Sequence, residues 1–174
     1  MGVYFIGDLH LGHEGIMSFG QRSFPSMEEH DLAIVDAWNA VVTTKRDLVW
    51  VLGDVAMDIN SLKLMDRCAG RKVLVIGNHD RFDTQVYLKY FERVISFEKR
   101  YDGLILTHIP IHPNELQYRK WKFNVHGHIH HVDKFPYDPR YINVNADVVG
   151  LSPVSLDWMK EEVKKREVIL NERS

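Results

Sequence analysis

The chain of 174 residues has a single cysteine, Cys68, so no internal disulfide can staple it. Such sparing use of thiols fits a reducing, cytoplasmic compartment. Long hydrophobic runs are missing as well. None approaches the roughly 20 residues of a membrane span, so no membrane partner is expected. The apolar stretch at 3–6 is too short for the core of a secretion signal, and Asp8 follows at once. Met1-Gly2 lacks the Ser or Thr at position 6 that N-myristoylation wants, since Ile6 stands there. Nor is there an excess of either charge. Lys and Arg number 22 against 24 Asp and Glu, a net charge of -2, so nothing general draws the chain to nucleic acid or anionic lipid. The basic clusters Arg119-Lys120-Trp121-Lys122 and Lys164-Lys165-Arg166 are short and read as solvated faces.

What remains is ordinary for a globular protein: 45% hydrophobic and 26% charged residues, enough chain for a substantial core. No internal repeat, linker or low-complexity segment interrupts it, so 1–174 reads as one domain. The ten histidines are unusual for this length. Only His30 falls in a clearly helical stretch; the others lie at strand ends or just beyond them.

Apolar runs at 3–6, 47–52, 73–76, 103–106 and 122–125 read as buried strands, and 141–145 as a strand with alternating polar residues. A looser alternation over 93–100 predicts a more exposed strand. Pro25 and Ser26-Met27-Glu28-Glu29 have the form of a capping box. Leu32, Val35, Trp38 and Val42 then recur at helical spacing, which predicts a helix over 27–42 with Trp38 in the core. Short helices are expected over 60–69, with Cys68 on the buried side, and over 83–90. A final helix opens at Ser152-Pro153 or Ser155, with Leu156, Met159 and Val163 on its inner face. The stretch 109–121 lacks periodicity and reads as a long, site-shaping loop.

The strands share a grammar at their ends. Gly7-Asp8-Leu9-His10 follows the first, and Asp8 and His10, two apart, project alike from an extended chain. Gly53-Asp54 ends the second, and its glycine removes bulk where backbone must approach a ligand. Gly77-Asn78-His79-Asp80 ends the third, Thr107-His108 follows a later strand, and His126-Gly127-His128-Ile129-His130 follows the next. A polar turn accounts for any one of these ends. Five in order point to a shared site at the carboxyl ends of the strands of an α/β sheet. Carboxylate and imidazole donors suit divalent ions such as Mn, Fe, Co, Ni or Zn, and the lack of thiolates disfavours thiophilic centres.

The series D-x-H, G-D, G-N-H-D, a later His and G-H-x-H resembles the calcineurin-like metallophosphoesterase superfamily across Asp8 to His130. The segments 22–38, 143–147 and 151–153 resemble its small bacterial and phage members. The resemblance implies a four-layer α-β-β-α sandwich of two mixed sheets flanked by helices. It implies two divalent ions, Mn²⁺ favoured, with Asp8, His10, Asp54 and His130 holding one and Asp54, Asn78, His108 and His128 the other. A metal-bridging hydroxide would attack phosphorus. His79 would contact the phosphoryl group and protonate the leaving oxygen, and Asp80 would orient His79 through its ring N–H. Thr107 stands where glycine is common in the family, and His126 and His131 have no implied role.

Two ions, two carboxylates and a hydroxide leave such a centre net positive, suited to a phosphate ester. The expected activity is phosphodiester hydrolysis, extending to monoesters, on a small phosphate ester or a nucleotide in an open groove. Asn78, His79, His13, Arg22 and Arg81 are candidate substrate contacts, with His112 and Tyr118 behind them. Two other readings stay open. A metal-dependent nuclease on DNA or RNA would share the chemistry but want a basic track for the backbone. An inactive scaffold on the same fold would be expected to lack ligands that are all present here.

Overall fold

A computed structural model describes residues 1–19, 22–99, 103–116, 121–130 and 138–172. Its strands are β1 (Val3–Ile6), β2 (Leu48–Val51), β3 (Arg71–Val75), β4 (Arg93–Ile95), β5 (Glu98–Lys99), β6 (Leu104–Leu106), β7 (Phe123–His126), β8 (Tyr141–Asn143) and β9 (Val154–Ser155). Its helices are α1 (Ile16–Phe19), α2 (Met27–Val41), α3 (Ile59–Leu62), α4 (Thr84–Tyr87), α5 (Ala146–Val149) and α6 (Leu156–Glu172).

The strands build two mixed sheets. The first has the order β4-β3-β2-β1-β9, parallel except for the antiparallel β9. The second has the order β5-β6-β7-β8, parallel except for β5. The central strands alternate between two apolar layers, as a period of two requires when both faces are covered. Ile6, Val49, Val51 and Leu74 pack with Ile34, Val35 and Trp38 of α2. Phe5, Trp50, Val73 and Val75 point the other way, onto Leu104, Leu106, Phe123, Val125 and Ile142 of the second sheet. Met159 of α6 joins this inter-sheet layer. Helices therefore flank a pair of facing sheets, as the resemblance implies.

Local chemistry sets the element ends. The Ser26 side chain accepts from the Glu29 N–H at 3.2 Å and caps α2. The Trp38 indole, fully buried, donates to the Ala69 carbonyl at 2.9 Å and so docks α2 onto the turn before β3. The expected helix over 60–69 is instead a single turn of α3 followed by a 3₁₀ turn at Lys63–Asp66. The expected strand over 93–100 divides: β4 ends the first sheet and β5 starts the second, with the chain crossing between sheets at Ser96-Phe97. Among the described residues of the 109–121 loop, Pro113–Leu116 form a 3₁₀ turn.

The sheets meet at their carboxyl ends. Gly7 bridges Asn145, its N–H donating to the Val144 carbonyl and its own carbonyl accepting from Ala146 N–H, both at 2.9 Å. The segments after β1 and β2 run side by side, with Asp8, His10 and Leu11 N–H groups bonded to the Gly53, Asp54 and Val55 carbonyls. Among the described residues, no helix is long and apolar enough to cross a membrane.

Candidate metal centre

Five strand ends deliver their polar residues to one place. Asp8 and His10 follow β1, Asp54 follows β2, Asn78 follows β3, His108 follows β6, and His128 and His130 follow β7. Donor atoms of Asp8, His10 and His130 lie within 4.8 Å of one another, as do those of Asp54, His108 and His128. Asp54 stands between the two groups. Its Oδ2 is 3.8 Å from His10 Nε2 and 3.3 Å from His108 Nε2. Asn78 joins the second group, its Oδ1 2.9 Å from His108 Nε2.

The backbone bends sharply to achieve this. Asp8, His10, Asp54 and His128 all have positive φ, between 52° and 68°. Each such residue costs about 1–2 kcal/mol relative to ordinary backbone. Among the described non-glycine residues, Leu151 alone shares that conformation. Strain concentrated on the candidate ligands marks the region as one held for chemistry rather than for packing.

Glycine supplies the remaining room. A Cβ at Gly127 would overlap the Asp8 carboxylate and lie 3.1 Å from the Leu52 carbonyl. One at Gly77 would overlap the Asp54 carboxylate and lie 2.6 Å from its backbone nitrogen. The carboxylates are then gripped by backbone: Asp8 accepts from His128 N–H at 2.8 Å, and Asp54 Oδ1 from His79 N–H at 2.8 Å.

Three of the imidazoles, those of His108, His130 and His10, have Nδ1 engaged by a group outside the donor clusters. His108 Nδ1 is 2.7 Å from the Leu52 carbonyl, which can only accept, so Nδ1 carries a proton and Nε2 is the nitrogen turned toward Asn78 and Asp54. His130 Nδ1 is 2.6 Å from the Asp147 carboxylate. His10 Nδ1 is 3.1 Å from His13 Nδ1. His10 Nε2 is buried and has no hydrogen-bond partner. A buried orphan nitrogen is costly unless something else takes its lone pair. With His10, two carboxylates, an amide oxygen and three further imidazoles make a donor set that suits divalent ions.

Charge follows the same geometry. Burial works against a charge on Asp54, but bonds from His108 and the His79 backbone hold its carboxyl below the usual range. Burial alone would depress His108. The Asp54 hydrogen bond and the Asp8 and Asp54 charges instead raise it to about 9 while no cation shares them. Burial lowers His10 and His128.

The other expected site residues fall in different places. His79 is half-buried at the mouth, its ring 5.6 Å from that of His10 and 6.2 Å from that of His13. Arg81 is exposed just beyond it, and His112 is exposed on its loop. Tyr118 and His131 lie outside the described residues. His126 is buried beneath the site, its Nδ1 2.8 Å from the Gly127 carbonyl, and burial pushes it down to about 4.

Two expectations need correction. Asp80 does not hold the His79 ring. Its carboxylate accepts from the backbone N–H groups of Asp54, Val55 and Gly77 at 2.8–2.9 Å and faces the Tyr87 hydroxyl at 3.4 Å. Adjacent side chains diverge, and Asp80 turns inward to tie the loops after β2 and β3 together. Arg22 does not face substrate. It is 3% exposed, and its guanidinium donates to the Asp8 carbonyl at 2.6 Å, the Leu9 carbonyl at 2.7 Å and the Asp147 carboxylate. His30 Nε2 lies 3.1 Å from the same guanidinium, and Asp31 links His30 to the Gly12 N–H. Arg22 is thus the buried keystone of the segment that carries Asp8 and His10.

Asp147, opening α5, is the contributor that sequence reasoning missed. It bridges Arg22 and His130, and these two bonds hold its carboxyl below the usual range against burial. Its only sequence signal is its place in the 143–147 segment.

Comparison with known proteins agrees with this geometry. The model of the calcineurin-like phosphoesterases matches residues 1–172, and the chain belongs to that family. It is 32% identical over 176 residues to the uncharacterized protein MJ1445 of Methanocaldococcus jannaschii, covering 96% of this chain and 94% of that one. The gene 66 protein of Mycobacterium phage L5 is 29% identical over 161 residues, covering 74% of this chain and 77% of its own length. Among solved structures, AQ665 of Aquifex aeolicus, described as of unknown function, shares the fold with a TM-score of 0.74 at 23% identity, over 92% of this chain and 98% of that one. Membership of the family carries phosphoester hydrolysis with divalent metal ions as the general activity.

Proposed function

We propose that the protein hydrolyses phosphodiesters, and monoesters as well, with two divalent ions that would share the Asp54 carboxylate. One observation carries the reading: two clusters of donors meet at the Asp54 carboxylate, which belongs to one and lies 3.8 Å from His10 of the other, and the His10 Nε2 is buried without a hydrogen-bond partner. Asp8, His10, Asp54 and His130 would hold one ion; Asp54, Asn78, His108 and His128 the other. Bound there, the pair supplies Lewis-acid charge to the phosphoryl oxygens and to the attacking water.

The chain's own groups do the rest. Leu52, Asp147 and His13 fix the ring orientations of His108, His130 and His10 from outside. His79 stands at the mouth with its backbone anchored on Asp54, and its imidazole is the group within reach of a leaving oxygen. A protonated imidazole there hands over its proton as the ester bond breaks, which matters most for a poor leaving group. Arg81, exposed beside it, is the cation for a non-reacting phosphoryl oxygen. Oxygen and nitrogen donors with no thiolate suit Mn²⁺, with Fe, Zn, Co and Ni as competitors. The lone, buried cysteine fits action in the cytoplasm.

The test is turnover of bis(p-nitrophenyl) phosphate and of an alkyl phosphodiester by the Mn²⁺-loaded protein. His79→Ala should retain its metal and lose about 10²–10⁴ in rate on the alkyl ester, and far less on the aryl ester. Equal losses on both would remove the proton-donor role. No turnover by the wild-type protein with two ions bound would point to a scaffold.

A further inference from the structure

Beside the Asn78–His108 edge of the centre opens a cavity of about 620 Å³. Besides Asn78 and His108, its walls include side chains from three stretches that take no part in the chemistry above. The link between β4 and β5 gives Phe97, the loop after β6 gives Ile109 and Ile111, and the approach to β7 gives Trp121. Phe97 is 52% and Ile109 51% exposed, so large apolar side chains are held open to solvent beside a polar centre. Such exposure is unfavourable unless a ligand covers it. Asn78 and His108 line both the cavity and the second donor cluster, so a group seated in one is next to a phosphate in the other.

We infer that this cavity is a subsite for the uncharged nucleoside part of a nucleotide substrate, with the base packed between Phe97 and Trp121. The inference rests on the proposed phosphoester hydrolysis and names its substrate class. The size lies within the ~300–1,000 Å³ of small-molecule sites. Two aromatic side chains suit a flat ring system, which stacks on them by its π-face. Charge argues against a second phosphate in the same place. Among the described residues lining the cavity there is no Lys or Arg, and the carboxylate present is Glu115. Glu115 repels a polyanionic backbone and accepts from the exocyclic amine of a base. The Trp121 indole N–H donates to the Glu115 carbonyl at 3.0 Å, which fixes that wall before a ligand arrives.

The test compares ligands that differ only in what fills the cavity. Adenosine 5′-monophosphate, ribose 5-phosphate and butyl phosphate are titrated calorimetrically into the Mn²⁺-loaded protein, and free adenosine into the metal-free protein. The nucleotide should bind at least about tenfold more tightly than either smaller phosphate. Phe97→Ala and Trp121→Ala should each shrink that ratio, Trp121→Phe should restore most of it, and adenosine binding should fall in step. Equal affinity of the nucleotide and ribose 5-phosphate would overturn the inference, as would butyl phosphate matching the nucleotide. Adenosine binding that ignores both substitutions would also overturn it. Because adenosine carries no phosphate and needs no metal, its binding without turnover would sink the proposed hydrolysis yet leave the subsite standing.

Discussion

Asp147→Asn is the sharpest perturbation of the site that leaves every proposed ligand in place. The carboxylate has one oxygen 2.6 Å from His130 Nδ1 and the other on the Arg22 guanidinium, and both it and Arg22 have side chains only 2% exposed. An amide of the same shape can still accept from one partner but carries no charge. A hydrogen bond to a charged group contributes about 1.5–3 kcal/mol and a neutral one about 1. The His130 side of the change should therefore cost about 1–2 kcal/mol in metal binding, roughly 5- to 30-fold in affinity. That overlaps the lower part of the roughly 10- to 100-fold usual for a residue that orients a ligand from behind. The Arg22 side acts on the fold, because a buried guanidinium loses its counter-charge, a change that costs about 3–5 kcal/mol when nothing compensates. Its bonds to the Asp8 and Leu9 carbonyls should keep the loss toward the lower end. The assay pairs calorimetric Mn²⁺ titration against a chelator with urea unfolding of the metal-free protein. Unchanged affinity alongside a large drop in apo stability would refute the positioning role and leave Asp147 a purely structural counter-ion.

Other outcomes follow from the same geometry. Gly127→Ala should reduce metal affinity and stability together, because its Cβ overlaps the Asp8 carboxylate, whereas Gly150→Ala, with φ at 72° and open space around it, should cost only about 1 kcal/mol and spare the metal. Paired metal titrations and melts distinguish the two. Cys68 is buried and its thiol is pushed up to about 12 by burial, so it stays protonated at pH 8; a disulfide-exchange reagent should label it only after denaturant unfolds the chain. Rapid labelling of the native protein would contradict that placement.

The strand ends were legible because a short apolar run closing on Gly and Asp or His is a local pattern. The sheet to which each run belongs is not local. The 93–100 stretch reads as one strand, and only the tertiary fold shows it leaving one sheet after Ile95 and entering the other at Glu98. β9 and α5, two and four residues long, are too short to show a period. The residues that converge in the two donor clusters could be named from sequence, since metal chemistry limits the side chains that could serve. Their supports could not. Asp80 sits next to His79 in sequence, but its carboxylate is drawn to three inward backbone N–H groups. Arg22 is an ordinary surface cation by composition, and only the convergence of two carbonyls and Asp147 makes a buried place for it. Asp147 is 17 residues from His130, so nothing in their spacing pairs them.

The most direct check is the count and place of the ions. Mn²⁺ titrated into chelator-treated protein, followed by anomalous diffraction from crystals of the loaded form, should find two ions per chain with the Asp54 carboxylate between them; Asp54→Ala should weaken both. One ion, or two that touch neither Asp54 nor the buried nitrogen of His10, would contradict the account at its root.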